Sequence, residues 1–282
     1  MDGPFDLYAG SPPDLPASPV VVSVPHAGRD YPPSLLGAMQ GPLATLRPLE
    51  DRYVDAVAIA ARETETLIVQ HRARAWIDLN RGEDERDPRV DEGATPTGSP
   101  TGSAKVKSGL GLVPRRAVGT SPIWARRFTD ADIVARIAAD HRPYHAALAT
   151  TLARAQAMFG IAVLVDLHSM PPLGSGAAVV LGDRFGRAAA ARFVARAEAA
   201  ARGAGFATAL NLPYAGGHIL ATHGQPAAGI HAIQVEIDRS RYLDAALDLP
   251  GAGLTPTVRM LRAMLDALTE EALGTRLDRA AE

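Results

Sequence analysis

Cysteine is absent from all 282 residues. This excludes disulfides, thiolate metal centres and a cysteine nucleophile, so any bound metal must rest on His, Asp and Glu. It also fits a reducing compartment. Strong net charge is missing too: 29 Lys plus Arg against 31 Asp plus Glu leave −2. A nucleic-acid partner, which would require a clustered basic face, is therefore not expected. No apolar run approaches the roughly 18 residues of a membrane span. The opening Met-Asp-Gly-Pro-Phe-Asp lacks the basic start and apolar core of a signal peptide. The expectation is a soluble, cytoplasmic protein with no membrane partner. Rival catalytic signatures are also missing. There is no Gly-x-Ser-x-Gly elbow and no P-loop, and Gly109-Leu-Gly111 lacks the third glycine of a dinucleotide fingerprint.

What is present suits one large α/β domain spanning residues 1–282. Hydrophobic residues make up 47% and charged residues 21%, enough apolar material for a sizeable core. Strand-like runs fall at Val20–Val24, Thr66–Val69, Ala75–Leu79, Ile161–Leu167, Ala177–Leu181, Phe206–Ala209 and His231–Ile237. Helical patterns alternate with them at Asp51–Glu63, Asp130–Met158, Gly186–Gly203 and Thr255–Glu271. In the longest, Ile133, Ile137, Tyr144, Leu148 and Leu152 recur at helical spacing, and Thr129-Asp-Ala-Asp132 reads as its cap. Such alternation predicts a mixed, mostly parallel sheet flanked by helices. One stretch breaks the order. Gly82 to Pro122 is rich in Gly, Ser, Thr and Pro, has almost no apolar period, and directly follows Asn80-Arg81. A loop of that length at that place is expected to act as a lid over a pocket.

The chemistry-bearing residues cluster at strand ends. His26 follows the apolar run Pro19–Pro25, His168 follows Ile161–Leu167, and Glu236 ends Ile230–Val235. In an open α/β sheet, ligands collect where the carboxyl ends of parallel strands open into a crevice. Two imidazoles there supply half of a catalytic zinc site, which takes three protein ligands and keeps a position for water. The third ligand should be a carboxylate, and Glu50, Asp51 and Asp55 are the candidates. Glu236 interrupts an apolar strand, a costly placement unless it is paired or used. Beside a metal-bound water it would make a general base; a salt bridge to Arg239 or Arg241 is the structural alternative. Arg81 offers a planar fork suited to a substrate carboxylate, or it ties down the acidic stretch after it. His141 and His145 stand four apart on one helical face, but Arg142 occupies the place of the glutamate in the thermolysin-type pattern, so they read as supporting residues. His218 and His223 lie in the turn Gly216-Gly-His-Ile-Leu-Ala-Thr-His-Gly224 and could approach a ligand.

Taken in order, these segments resemble the N-formylglutamate amidohydrolase family. The matching stretches are Val22-Ser-Val-Pro-His-Ala-Gly-Arg-Asp-Tyr-Pro32, Glu50-Asp-Arg-Tyr-Val-Asp55, Ile77-Asp-Leu-Asn-Arg81 and Ser108-Gly-Leu-Gly-Leu-Val-Pro-Arg-Arg116. They continue through His141-Arg-Pro-Tyr-His-Ala146, Asp166-Leu-His-Ser-Met-Pro171 and Gln234-Val-Glu-Ile-Asp-Arg-Ser240. The resemblance implies a fold like that of zinc carboxypeptidases and acylases, with one zinc ion. It implies His26, Asp51 and His168 as metal ligands and Glu236 as base, with Asn80 and Arg81 as a substrate clamp. The implied substrate is a small N-acyl amino acid, N-formyl-L-glutamate foremost. The chain departs from the family near Gly217. Relatives often carry an Arg-His pair shortly after the Gly-Gly turn, where this chain reads Ala221-Thr222.

Overall fold

The computed structural model describes residues 3–10, 15–94, 104–117 and 122–281. Its strands are β1 (Phe5–Tyr8), β2 (Val20–Val24), β3 (Thr66–Gln70), β4 (Ala162–Met170), β5 (Val179–Gly182), β6 (Thr208–Leu210) and β7 (Ile230–Asp238). They form one seven-stranded sheet in the order β1-β3-β2-β4-β7-β5-β6. The central four, β3, β2, β4 and β7, run parallel. β1 joins β3 antiparallel, β5 joins β7 antiparallel, and β6 follows β5 in parallel. The sheet is therefore mixed and mostly parallel, as expected.

Helices α1 (Pro33–Leu36), α2 (Val54–Ala61), α3 (Ala104–Lys107), α4 (Asp130–Arg136), α5 (Arg142–Phe159), α6 (Ala191–Gly203), α7 (His218–His223) and α8 (Leu254–Ala281) complete the layers. On one face Val22, Val165, Leu167, Val235 and Ile237 pack with buried residues of α2, α6 and α8. On the other, Val21, Leu164 and Ala232 pack with Tyr144, Leu148 and Leu152 of α5 and Ile219 of α7. The second face is apolar only toward the beginnings of its strands. Further along it carries Ser23, Asp166, His168, Gln234 and Glu236, all buried. That change of polarity on one face marks where the core ends and the site begins.

Three expectations are corrected. Ala75–Leu79 is not a strand. Ala75, Ile77 and Leu79 are all buried, which imitates strand periodicity, but the backbone turns: Trp76 N–H donates to the Ala73 carbonyl and Asp78 N–H to that of Leu112. The helix expected from Asp51 begins at Val54, because Tyr53 takes a left-handed conformation (φ 57°) and leaves Asp51 in the connection. The long helix starts on the expected cap, with Thr129 and Asp132 forming a reciprocal capping box. Ile137–His141, however, widens into a π turn. Pro143 has no N–H to give the preceding turn and its ring crowds that turn, so the backbone loosens there.

Of the Gly82–Pro122 stretch, residues 95–103 and 118–121 lie outside the described residues. The described parts are tied to the body, where Asp78 N–H donates to the Leu112 carbonyl and Arg142 Nε to Glu83 Oε1 at 2.9 Å, and to one another. Arg115 Nε donates to Asp87 at 3.0 Å, Arg86 pairs with Asp91, and Leu112 N–H donates to the Glu85 carbonyl. Leu112 and Val113 are buried.

Candidate active site

Three adjacent parallel strands, β2, β4 and β7, open at the same edge of the sheet. The connection after β2 supplies His26, β4 supplies His168, and β7 supplies Glu236, directly paired with His168 in register. Asp51 enters from the loop before α2, its N–H donating to the His26 carbonyl at 3.0 Å. His26, Asp51 and His168 are all buried, at 2, 3 and 3% exposure. One ligand atom from each lies within 4.8 Å of the others.

The ring nitrogens divide their work. His26 Nε2 faces Asp78 Oδ1 at 2.7 Å and His168 Nε2 faces Asp166 Oδ2 at 3.0 Å. A carboxylate accepts only, so both Nε2 atoms carry the proton. Both Nδ1 atoms then face Asp51 Oδ2, at 3.7 Å from His26 and 3.0 Å from His168. His26 Nδ1 is buried with no hydrogen-bond partner. An orphaned imidazole lone pair beside a second imidazole and a carboxylate is a poor arrangement for stability alone. It suits a borderline divalent cation, and carboxylates behind ligating histidines orient the rings and raise their basicity. The donor set therefore fits a zinc-like ion.

Burial lowers the affinity of His168 for a proton, but the Asp166 charge and hydrogen bonds to Asp166 and Asp51 outweigh it and hold the imidazole well above its ordinary range. Burial would raise Asp51, yet the hydrogen bond to His168 and the nearness of the His26 ring carry it below the usual carboxylate range. Asp78 is likewise held low against burial, chiefly by Arg74 and His26.

The other carboxylates after Leu49 are spent elsewhere. Glu50 accepts from the Tyr31 hydroxyl and pairs with Arg52 at 2.6 Å; Asp55 pairs with Arg29 at 2.6 Å. Glu236 does not make the structural salt bridge. Arg239 turns to the Ser169 carbonyl (3.1 Å) and Asp51 (3.5 Å), and Arg241 lies over the Phe206 ring. Glu236 Oε1 instead accepts from Gln234 Nε2 at 2.9 Å. Burial raises its proton affinity above the ordinary carboxylate range, against the opposing influence of His168.

The clamp residues are brought in, with divided duties. Arg81 Nε and Nη1 donate to the Leu110 and Asn80 carbonyls, while Nη2 has no hydrogen bond among the described residues. Asn80 is committed to the protein on both ends: Oδ1 accepts from Ile219 N–H at 2.9 Å and Nδ2 donates to Gln234 Oε1 at 3.2 Å. It is a positioning residue, and Gly217 must be glycine-small because a Cβ there would stand 2.5 Å from Asn80 Oδ1. His218 and His223 do not join the His26 group. They gather with His141 and His145, the His145 and His223 rings stacking at 5.2 Å. Sequence reasoning missed Asp78, Asp166 and Arg74. Arg74 Nε donates to Asp78 Oδ2 at 2.8 Å, its Nη atoms have no hydrogen bond among the described residues, and its charge acts on Asp51 and Glu236. The signal for Asp166 was available: it stands two before His168, hence on the same face of the strand.

The family model described as N-formylglutamate amidohydrolase matches residues 18–243. An N-formylglutamate deformylase of Pseudomonas aeruginosa is 27% identical over 272 residues, which cover 93% of this chain and 96% of the relative. A protein of the same description from Pseudomonas putida is 28% identical over 236 residues, covering 80% and 82%. The crystal structure of N-formylglutamate amidohydrolase from Ralstonia eutropha JMP134 superposes with a TM-score of 0.85 at 32% identity, over 97% of this chain and 99% of that one. With this fold and this match, the chain belongs to the N-formylglutamate amidohydrolase family and is a hydrolase acting on a non-peptide amide bond.

Proposed function

We propose that the protein is a metal-dependent deformylase that converts N-formyl-L-glutamate and water to formate and L-glutamate. The buried convergence of His26, Asp51 and His168, with Glu236 on the adjoining strand, carries this reading. The names of the Pseudomonas and Ralstonia relatives support the substrate. His26 Nδ1, Asp51 and His168 Nδ1 would hold the ion, and Asp78 and Asp166 keep both rings in the ligating tautomer. When bound, a divalent ion such as zinc acidifies water and polarises the amide carbonyl.

Each remaining step belongs to a side chain. Glu236, with Oε1 held by Gln234, takes a proton from the attacking water at Oε2 and passes it to the amine nitrogen as the C–N bond breaks. Burial raises its proton affinity, which suits a group that must both accept and return a proton near neutral pH. Arg74, whose charge acts on Asp51 and Glu236, would stabilise the developing oxyanion, where a fixed cation contributes more than in water. Arg81 Nη2 binds the α-carboxylate.

Formate release from a panel of N-acyl amino acids by zinc-loaded protein tests the substrate. N-formyl-L-glutamate should give the highest kcat/KM. A higher value for another acyl group or side chain would reassign the substrate, a result for which the Ala221-Thr222 departure is the first place to look.

A further inference from the structure

The second histidine group lies on the other side of the Asn80-Arg81 segment and shares no residue with the first. We infer that His141, His145 and His218 form an additional binding site for a borderline transition-metal cation of the zinc type. One nitrogen from each of the three lies within 4.8 Å of the others. The ring centroids are 4.4, 5.2 and 5.9 Å apart.

Hydrogen bonding fixes which atoms are available. His141 Nε2 lies 2.8 Å from the Arg81 carbonyl and His145 Nε2 lies 2.9 Å from that of Leu79. A carbonyl only accepts, so both Nε2 atoms carry the proton and both Nδ1 atoms present lone pairs. His141 is 3% exposed, and its Nδ1 is buried without a hydrogen-bond partner. Glu83 Oε1, the nearest acid, stands 3.9 Å from it. His145 Nδ1 has His223 Nε2 at 2.9 Å, an N–H that a cation would have to outcompete. His218 completes the group from the first turn of α7, its Nε2 3.3 Å from Thr222 Oγ1.

The local fold favours binding over simple packing. Metal-bound histidines donate their second N–H to a carbonyl or carboxylate, and His141 and His145 both do so here. The π turn at Ile137–His141 gives His141 its place, and such turns gather at functional sites. A neutral imidazole set is matched to zinc, nickel or copper and poorly matched to magnesium or calcium. Because the same two histidines hold the carbonyls on either side of Asn80, an ion here would tie α5 to α7 and brace the clamp.

The test is zinc stoichiometry in chelator-stripped protein re-equilibrated with Zn²⁺ and freed of excess ion. Wild type should hold two ions per chain. His141→Ala and His218→Ala should each hold one, and His26→Ala/His168→Ala should also hold one. His218 is partly exposed, so its variant keeps the test open if His141→Ala fails to fold. One ion in wild type that is lost in His26→Ala/His168→Ala, or as many ions in His141→Ala and His218→Ala as in wild type, would overturn the second site. Two ions in the His26→Ala/His168→Ala protein would count against the first site alone.

Discussion

Glu236 sits beside His168 on the neighbouring strand with one carboxylate oxygen held by Gln234 and the other without a hydrogen bond among the described residues. Replacing it with Gln keeps size and hydrogen bonding but removes proton acceptance. Base removal costs about 10²–10⁴ in rate, so kcat for formate release should fall by that much while zinc content and melting temperature persist. A folded, metal-loaded Gln variant with near-normal kcat would remove Glu236 from the chemistry. Arg81→Lys should act differently. Losing a charge-assisted fork costs about 1.5–3 kcal/mol, so KM should rise roughly tenfold to 100-fold with a smaller change in kcat. The reverse split would place Arg81 at the reacting bond. At this scale the site was partly legible. His26 and His168 stood out as polar groups at the ends of apolar runs, and Glu236 as a charge in one. The choice among Glu50, Asp51 and Asp55 was not, since it depends on Arg52, Tyr31 and Arg29 claiming the other two. Nor was the role of Asn80, whose partners lie 139 and 154 residues away.

Among the elements, β4 carries the most function, because one face supplies core and the other a relay. From Tyr144 the hydroxyls and carboxylate run through Ser23 and Asp166 to His168. Asp166→Asn should weaken zinc binding about 10–100-fold, measured by competition with a chelator. Unchanged affinity would reduce Asp166 to a filler. The turn after β2 is equally constrained. A Cβ at Gly28 would stand 2.2 Å from the Arg72 carbonyl, so Gly28→Ala must push that backbone away and shift His26 with it. A loss of zinc affinity with little loss of global stability is expected, and normal metal content would contradict it. The parallel strands and long helix were readable because their apolar periods coincide with their burial. Ala75–Leu79 misled because alternate burial there serves a turn. Single-turn elements such as α7 carry too few residues for a period, yet α7 brings His218 and His223 to α5.

For the whole molecule, the sheet is clasped on its far side by α8. Arg262 of that helix meets Glu65 at 2.5 Å, where β3 begins. Burial raises the Glu65 carboxyl, but the Arg262 hydrogen bond and backbone N–H groups more than compensate and hold it below the usual range. A depressed carboxylate stabilises the fold above its unfolded value, near 4.3, and loses that contribution as pH falls through its folded value. Glu65→Gln should therefore lower stability by about 1–3 kcal/mol at pH 7 and by progressively less as the pH drops below about 4. An equal deficit at both ends would show that packing, not charge, is responsible. No described helix is long and apolar enough to cross a membrane, in keeping with the hydropathy of the sequence. The same edge of the sheet that ends this core opens the site, so fold and chemistry meet at the carboxyl ends of β2, β4 and β7.

The most direct test is formate release from N-formyl-L-glutamate by chelator-stripped protein as Zn²⁺ is returned, with His168→Ala in parallel. Turnover should be absent from the stripped wild type, return as zinc is added, and fail to return in His168→Ala. Full turnover in the stripped protein, or recovery in His168→Ala, would contradict a metal-dependent site built on His26, Asp51 and His168.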